Sequence, residues 1–279
     1  GAALARLSRW RFDPRLERRL LRSYFARNHA YRTGAFPAEA WRPAAIAADL
    51  PNGWRAVRRA HPRWHALEQP RAFRGRAATP LTFARWLATP AVVRDIRAHT
   101  DPRGSNLHRV PAALMLRALG TRARWPPPVW QWSNRPLRRL DFFLLHSLWG
   151  LGRSPKVGWI GLHTGCDVTS PPGATRFDYR DRRYLQGQAA DALLFYGGAL
   201  AICGRAKVFY DAPTGFYETL AHGETIGAAW RRYFTEEAQR RISPISRKRA
   251  YFWNVTGDWT LRLPPPPVSR TSAGSTRRP

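Results

Sequence analysis

A thiol at Cys166 and an imidazole at His99 are the two side chains whose types could together cleave an amide bond. A thiolate attacks the carbonyl carbon, and a histidine forms that thiolate and later returns the proton to the leaving amine. Backbone N–H groups meanwhile hold the tetrahedral oxyanion. Histidine beside cysteine also lowers the thiol pKa, and positive surroundings help further. In such a site Gly165 and Cys166 are the candidate oxyanion donors, and Asp101 or Asp95 could orient the imidazole. The plain alternative for Cys166 is a thiol that packs at a strand end as a small hydrophobe.

The elements that must position these groups can be read from the flanking sequence. Residues 157–163 (VGWIGLH) form a short apolar run behind Pro155, with the length and composition of a buried strand. Thr164-Gly165-Cys166-Asp167 follows, so the cysteine stands just past the carboxyl end of a central strand. In open α/β sheets ligands bind in that crevice. Residues 91–98, with Val92, Val93 and Ile96, read as another strand running into the polar loop His99-Thr100-Asp101-Pro102-Arg103-Gly104-Ser105. His99 thus repeats the placement of Cys166. His163 is a second candidate base, but residues three apart on a strand face opposite ways, so the chain would have to turn at Thr164-Gly165. His146 sits in an apolar segment and reads as a core histidine. Asp167 and Asp211, each following a strand, could line a substrate pocket or simply cap loop backbone.

Beyond the cysteine, residues 188–203 carry Ala189, Leu193, Tyr196, Leu200 and Cys203 at helical steps, with Gly204 as a C-cap. Residues 206–210 (AKVFY) read as a strand, 214–222 and 225–240 as helices, and 250–255 (AYFWNV) as a last strand. Strand and helix in alternation imply a parallel sheet with right-handed crossovers. Upstream, Asp13-Pro14 opens a helix over 14–29, and residues 82–88, 110–119 and 140–149 read as further helices. Residues 43–76 lack a sustained period and read as loops and short helices anchored by aromatics such as Trp54, Trp64 and Phe73.

The segments GLHTGC, ALLFYGGALAICGRAKVFY and GFYETLAHGETIGAAWRRYF, in that order, resemble the second half of caspase-like cysteine peptidases of the gingipain and separase-related group. Phe216-Tyr217 and Gly223-Glu224-Thr225-Ile226-Gly227-Ala228-Ala229 match a helix pair of that family, and residues 255–263 (VTGDWTLRL) resemble its closing Gly-Asp-Pro-(Thr/Ser)-Leu segment, with Trp259 in place of proline. The phrase LLRSYFARNHAYRTG resembles one of its mid-domain helices. The resemblance implies an α/β, caspase-like three-layer sandwich with a mostly parallel central sheet flanked by helices. It implies a domain over 1–263 and a Pro/Ser/Arg tail over 264–279. It makes Cys166 the nucleophile and His99 the catalytic histidine, with Thr100 where the family carries the glycine of its His-Gly pair. It further implies that the family's first strands precede Gly1, so that 91–98 has an open edge, with an upstream segment of the same protein as a partner. The function so implied is a cysteine endopeptidase acting on peptide or protein substrates without a cofactor. Its alternatives are a catalytically silent module of the same fold or a basic nucleic-acid-binding protein.

Composition narrows these classes. The formal charge is +29, yet only Lys156, Lys207 and Lys248 of the 47 basic residues are lysines, and the arginines are dispersed rather than blocked. That pattern reads as scattered surface cations more than as a nucleic-acid footprint. No apolar run reaches the ~18 residues of a membrane helix, and residue 1 onward shows no secretory leader pattern. Two cysteines make no disulfide framework and no Cys/His spacing reads as a zinc site, so no metal is expected.

Overall fold

The computed structural model describes residues 14–41, 44–47, 71–101, 104–111, 136–141, 145, 148–149, 152, 154–170, 177–178, 183–184, 189–207, 215–238, 244, 248 and 250–264. The strands in chain order are β1 (Ala44–Ala47), β2 (Arg71–Arg74), β3 (Val93–Arg97), β4 (Thr100–Asp101), β5 (Gly104–Pro111) and β6 (Pro136–Asp141). They continue with β7 (Trp159–His163), β8 (Phe177–Asp178), β9 (Arg183–Tyr184), β10 (Ala199–Arg205) and β11 (Trp253–Gly257). The α-helices are α1 (Pro14–Arg32), α2 (Pro80–Ala88), α3 (Ala189–Phe195), α4 (Phe216–Ala221) and α5 (Ile226–Arg232), the last running on into a wider turn over 233–238.

Six strands make the central sheet, in the order β11-β10-β7-β3-β1-β2. All pairs are parallel except β10 with β11 at the far edge. β7 and β10 are buried along their whole length, the signature of strands covered on both faces. One core packs α2 and α3 against Ile96, Trp159 and Ile202. The other packs α4 and α5 against Val93, Ile160, Leu162 and Cys203. The fold is therefore an α/β sandwich of three layers with a mostly parallel sheet. A short antiparallel sheet, β4-β5-β6, stands beside it and carries the loop that follows β3.

Local chemistry explains the elements. Thr79 caps α2 by accepting from Thr82 N, Thr82 returns the favour to the Thr79 backbone, and Pro80 takes the first helical position. The last turn of α2 is closed by Arg94 of β3. Its guanidinium donates to the carbonyls of Trp86 (2.6 Å), Leu87 (3.2 Å) and Thr89 (2.5 Å) and lies 4.6 Å from the Trp86 ring centroid. Burial brings the Arg94 pKa down to about 9. At the β11 edge, Trp230 and Trp259 donate their indole N–H groups to the carbonyls of Trp253 (2.8 Å) and Val255 (3.0 Å). Those bonds occupy strand groups that would otherwise invite pairing.

Four sequence expectations change. Residues 188–203 are not one helix: α3 ends at Phe195, Gly197-Gly198 turns the chain with Gly198 at φ 77, and Ala199–Arg205 is the strand. Cys203 is thus a core strand residue. Ala206 and Lys207 follow that strand, and 208–211 fall outside the described residues. The segment expected to be loops supplies β1 and β2. β1 pairs in parallel with β3, Ala44 opposite Arg94 and Ala47 opposite Arg97, so the edge expected to be open is paired. Val110 and Pro111, expected to open a helix, end β5 instead.

α1 is tied to the chain's closing segment. Asp258 accepts from Arg32 Nη2 (2.6 Å), Asn28 Nδ2 (2.8 Å), and the N–H and hydroxyl of Thr260 (3.0 and 2.6 Å). Burial alone would raise the Asp258 carboxyl, but these donors outweigh it and hold the pKa at about 2. Tyr24 adds a bond from its hydroxyl to Leu200 O at 2.8 Å. Removing the carboxylate with Asp258→Ala is expected to cost about 2 kcal/mol at neutral pH. A carboxyl whose folded pKa lies below its unfolded value stabilises above the unfolded pKa and loses that contribution as pH falls through the folded one. Urea titrations should therefore show the gap between wild type and variant closing from about pH 4 to pH 2. A gap constant over that range would mean the ionised carboxylate is not what binds α1.

Candidate active site

β3 and β7 deliver the two sequence-singled residues to one edge. Val93 pairs with Ile160 and Ile96 with His163, without a shift in register. His99 and Cys166 each stand three residues beyond the Ile96–His163 pair, at the carboxyl end of adjacent parallel strands. Thr164 N donates to Ile96 O at 2.9 Å, which extends the ladder one step into the cysteine loop. His99 is solvent-exposed, and Cys166 is buried with 9% exposure. Both cysteines are free thiols, and burial pushes the Cys203 thiol well up.

The floor of this edge is polar and fully buried. His163 Nδ1 accepts from Gly165 N–H at 3.0 Å, so the ring proton resides on Nε2, which donates to Ser105 Oγ at 2.9 Å. Thr100 Oγ1 lies 3.0 Å from both Ser105 Oγ and Ala98 O. Since the carbonyl can only accept, it takes the Thr100 proton and Ser105 supplies the one between the hydroxyls. Each donor from Gly165 N–H to Thr100 then has one acceptor. Burial, reinforced by the positive Arg205, depresses the His163 pKa to about 3, so the ring is neutral. On the other side of the same residue, Arg205 Nε donates to Gly165 O at 3.2 Å, and its guanidinium lies 5.9 Å from the Trp253 ring centroid.

These contacts revise two sequence candidates. His163 cannot serve as the base, because one ring nitrogen accepts an amide and the other donates to a buried hydroxyl. The Gly165 N–H is likewise spent on His163, which leaves Cys166 N–H as the remaining candidate of the pair. Asp95 lies within β3 with its Oδ2 accepting from Arg97 Nε at 2.8 Å, and burial raises its carboxyl. Asp101 pairs with Gly104 in the short β4–β5 ladder. Asp167 adopts φ 55, and its Oδ1 accepts from Ser170 Oγ at 3.0 Å, a loop-capping use. Asp211 lies outside the described residues, as does His146.

Thr100, Ser105 and Arg205 were not singled out as site residues. Ser105 and His163 are 58 positions apart, and only the β5 hairpin and the β3–β7 pairing bring them together. Among the described residues no helix is long and apolar enough to cross a membrane.

Solved structures share this architecture. The Arg-specific cysteine proteinase gingipain R aligns over 87% of this chain and 52% of its own length, with TM-score 0.55 and 12% identity. The complex of the pro- and mature domains of RgpB from Porphyromonas gingivalis aligns over 81% and 49%, with TM-score 0.51 and 12% identity. The chain thus spans about half the length of these proteins. No protein-family model and no curated protein sequence matches it. The fold is the caspase-like fold of the cysteine peptidase gingipain R.

Gly165 has no room for a side chain: a Cβ there would lie 2.0 Å from Thr100 Oγ1 and 2.7 Å from His163 Cε1. Gly165→Ala should cost roughly 1–3 kcal/mol by overpacking. Part of that loss should return in the Gly165→Ala/Thr100→Gly double variant, which removes both Thr100 atoms that a Cβ at 165 would meet. Simple additivity of the two substitutions in urea denaturation would argue against the contact.

Proposed function

We propose that this chain is a cysteine-type endopeptidase domain in which Cys166 is the nucleophile and His99 the general acid/base. The observation that carries the reading is the unbroken β3–β7 register, whose last pair, Ile96 and His163, lies three residues before His99 and Cys166 alike. His99 would take the thiol proton, and the thiolate would add to the scissile carbonyl. The oxyanion would lean on Cys166 N–H, and the proton would pass to the leaving amine. Water activated by the same imidazole would then release the acyl group. Asp101 is the candidate to orient His99, and Asp167 and Asp211 are the candidates for the substrate pocket, where a carboxylate would favour a basic side chain. Gingipain R is an Arg-specific cysteine proteinase. A peptide library varied at the residue before the cleaved bond is the way to learn the preference here.

A second reading is a catalytically silent binding module of the same fold. It is favoured by the Gly165 N–H donating to His163 and by Thr100 standing beside His99. A peptidyl acyloxymethyl ketone probe, with labelled sites mapped by mass spectrometry, separates the two. Covalent labelling at Cys166 that vanishes in Cys166→Ala and falls on the order of 10²-fold or more in His99→Ala is expected of the dyad. Labelling equal in His99→Ala would remove His99 from the mechanism. A folded protein whose Cys166 reacts with iodoacetamide but not with any peptidyl probe would favour the silent module.

A further inference from the structure

The buried polar chain beneath the strand ends does more than satisfy itself. It starts at Gly165, next to Cys166, and ends at Thr100, next to His99, running through His163 and Ser105. Resting on the dyad reading above, we propose that Thr100, Ser105 and His163 are positioning residues that fix the His99 loop against the Cys166 loop, with Arg205 setting the orientation of the Cys166 amide.

The geometry excludes the more obvious alternative, a Ser105–His163 nucleophile pair. Ser105 is 1% exposed, and no substrate carbonyl can reach it. His163 is also in the wrong tautomer, since Nε2 carries the proton and Nδ1 is filled by Gly165 N–H, leaving no basic nitrogen to take the serine proton. A positioning role uses every feature present. Each donor in the chain has an acceptor, so the chain has one preferred order and resists slack. It contains no net charge, so it holds its form without a counter-ion. It spans the gap between two loops whose spacing decides whether an imidazole and a thiol can meet. Thr100 Oγ1 also donates to Ala98 O, so the turn that bears His99 is braced from within.

Arg205 completes the clamp. Its Nε holds the Gly165 carbonyl at 3.2 Å. That carbonyl and the Cys166 N–H belong to one peptide unit, and the chain has no cis bonds among its described residues. In a trans peptide the two groups point opposite ways. Holding the oxygen toward Arg205 therefore turns the Cys166 N–H away from it, in a fixed direction.

Three variants test the proposal: Thr100→Val, which keeps shape and loses the hydroxyl, Thr100→Ser, which keeps the hydroxyl, and Ser105→Ala. Folding is checked by urea denaturation, and two readouts follow. The first is amide hydrogen exchange at Gly165. The second is the pH profile of iodoacetamide alkylation at Cys166, resolved from Cys203 by peptide mapping, with His99→Ala as reference. Gly165 exchange is expected to quicken roughly five- to tenfold in Thr100→Val and Ser105→Ala. Their alkylation profiles should move toward that of His99→Ala, while Thr100→Ser stays close to wild type. Folded Thr100→Val and Ser105→Ala proteins with unchanged Gly165 exchange overturn the proposal. So does a Thr100→Ser profile displaced as far as that of Thr100→Val, because the hydroxyl would then not be the link. If His99→Ala leaves the wild-type profile unmoved, the dyad reading fails, and the exchange readout still decides whether this chain holds the two loops together. Should Ser105→Ala not fold, the two Thr100 variants decide the question alone.

Discussion

The parallel ladder between β3 and β7 is the constraint on which the site depends. Its last pair joins Ile96 to His163, three residues short of positions 99 and 166, and its direction puts both positions beyond the carboxyl edge of the sheet. The ladder in turn depends on a close backbone approach. A Cβ on Gly161 would fall 1.7 Å from Arg94 O, so only glycine lets the two strands lie at this separation. The same position on a looser sheet would shift the cysteine relative to the histidine. Neither side chain belongs to the ladder itself, so the polar chain below it governs their last few ångströms.

The surrounding layers hold that ladder from both sides. α2 reaches it through Arg94, whose side chain fills the helix C-terminus and whose backbone stands opposite Gly161. α4 and α5 cover the other face with Phe216, Leu220 and Ile226. α1 reaches the opposite end of the sheet, where Arg27 donates to Leu194 O at 3.0 Å and Tyr24 to Leu200 O. Three arginines, Arg27, Arg94 and Arg205, are therefore interior residues that bind carbonyl oxygens, each exposed by 6% or less. A guanidinium is suited to this work because its planar fork meets several carbonyls at once and is weakly hydrated for a cation. Part of the chain's large positive charge is thus structural mortar rather than a surface for phosphate.

How much of this was legible in the sequence follows from burial and spacing. β7 was readable because an uninterrupted apolar run between a proline and a polar turn has few other uses. β10 was not, because a strand buried on both faces has no alternation, and its Leu200 and Cys203 fell by chance on a helical step from Leu193 and Tyr196. The double glycine at 197–198 was the signal of the break. β1 is four residues of AAIA, too short and too small to show a period. His99 and Cys166 were legible as a pair of strand-end residues, because that needs only local patterns. The network between them was not, since its members come from separate strands and announce themselves as an ordinary threonine, serine and histidine. The buried arginines were hidden by their own abundance.

The contact between Thr100 and Gly165 gives a physical meaning to the threonine that follows His99. The two loops run so close that a Cβ at 165 would meet Thr100 Oγ1 at 2.0 Å and Thr100 Cβ at 2.5 Å. With a β-branched residue on the histidine side, the cysteine side has to be glycine. A glycine on the histidine side would relieve that crowding but would remove the hydroxyl that joins Ser105 to Ala98 O. In this chain the space goes to a hydrogen-bonded side chain, and the loop bearing His99 is stiffened where glycine would have left it free. Under the proposed dyad the consequence for chemistry is a trade: the Gly165 amide is given to His163 and is not free for an oxyanion, and the loops bearing His99 and Cys166 gain a braced connection. In that reading the Cys166 amide is the donor left for an oxyanion, and Arg205 holds the carbonyl of the same peptide.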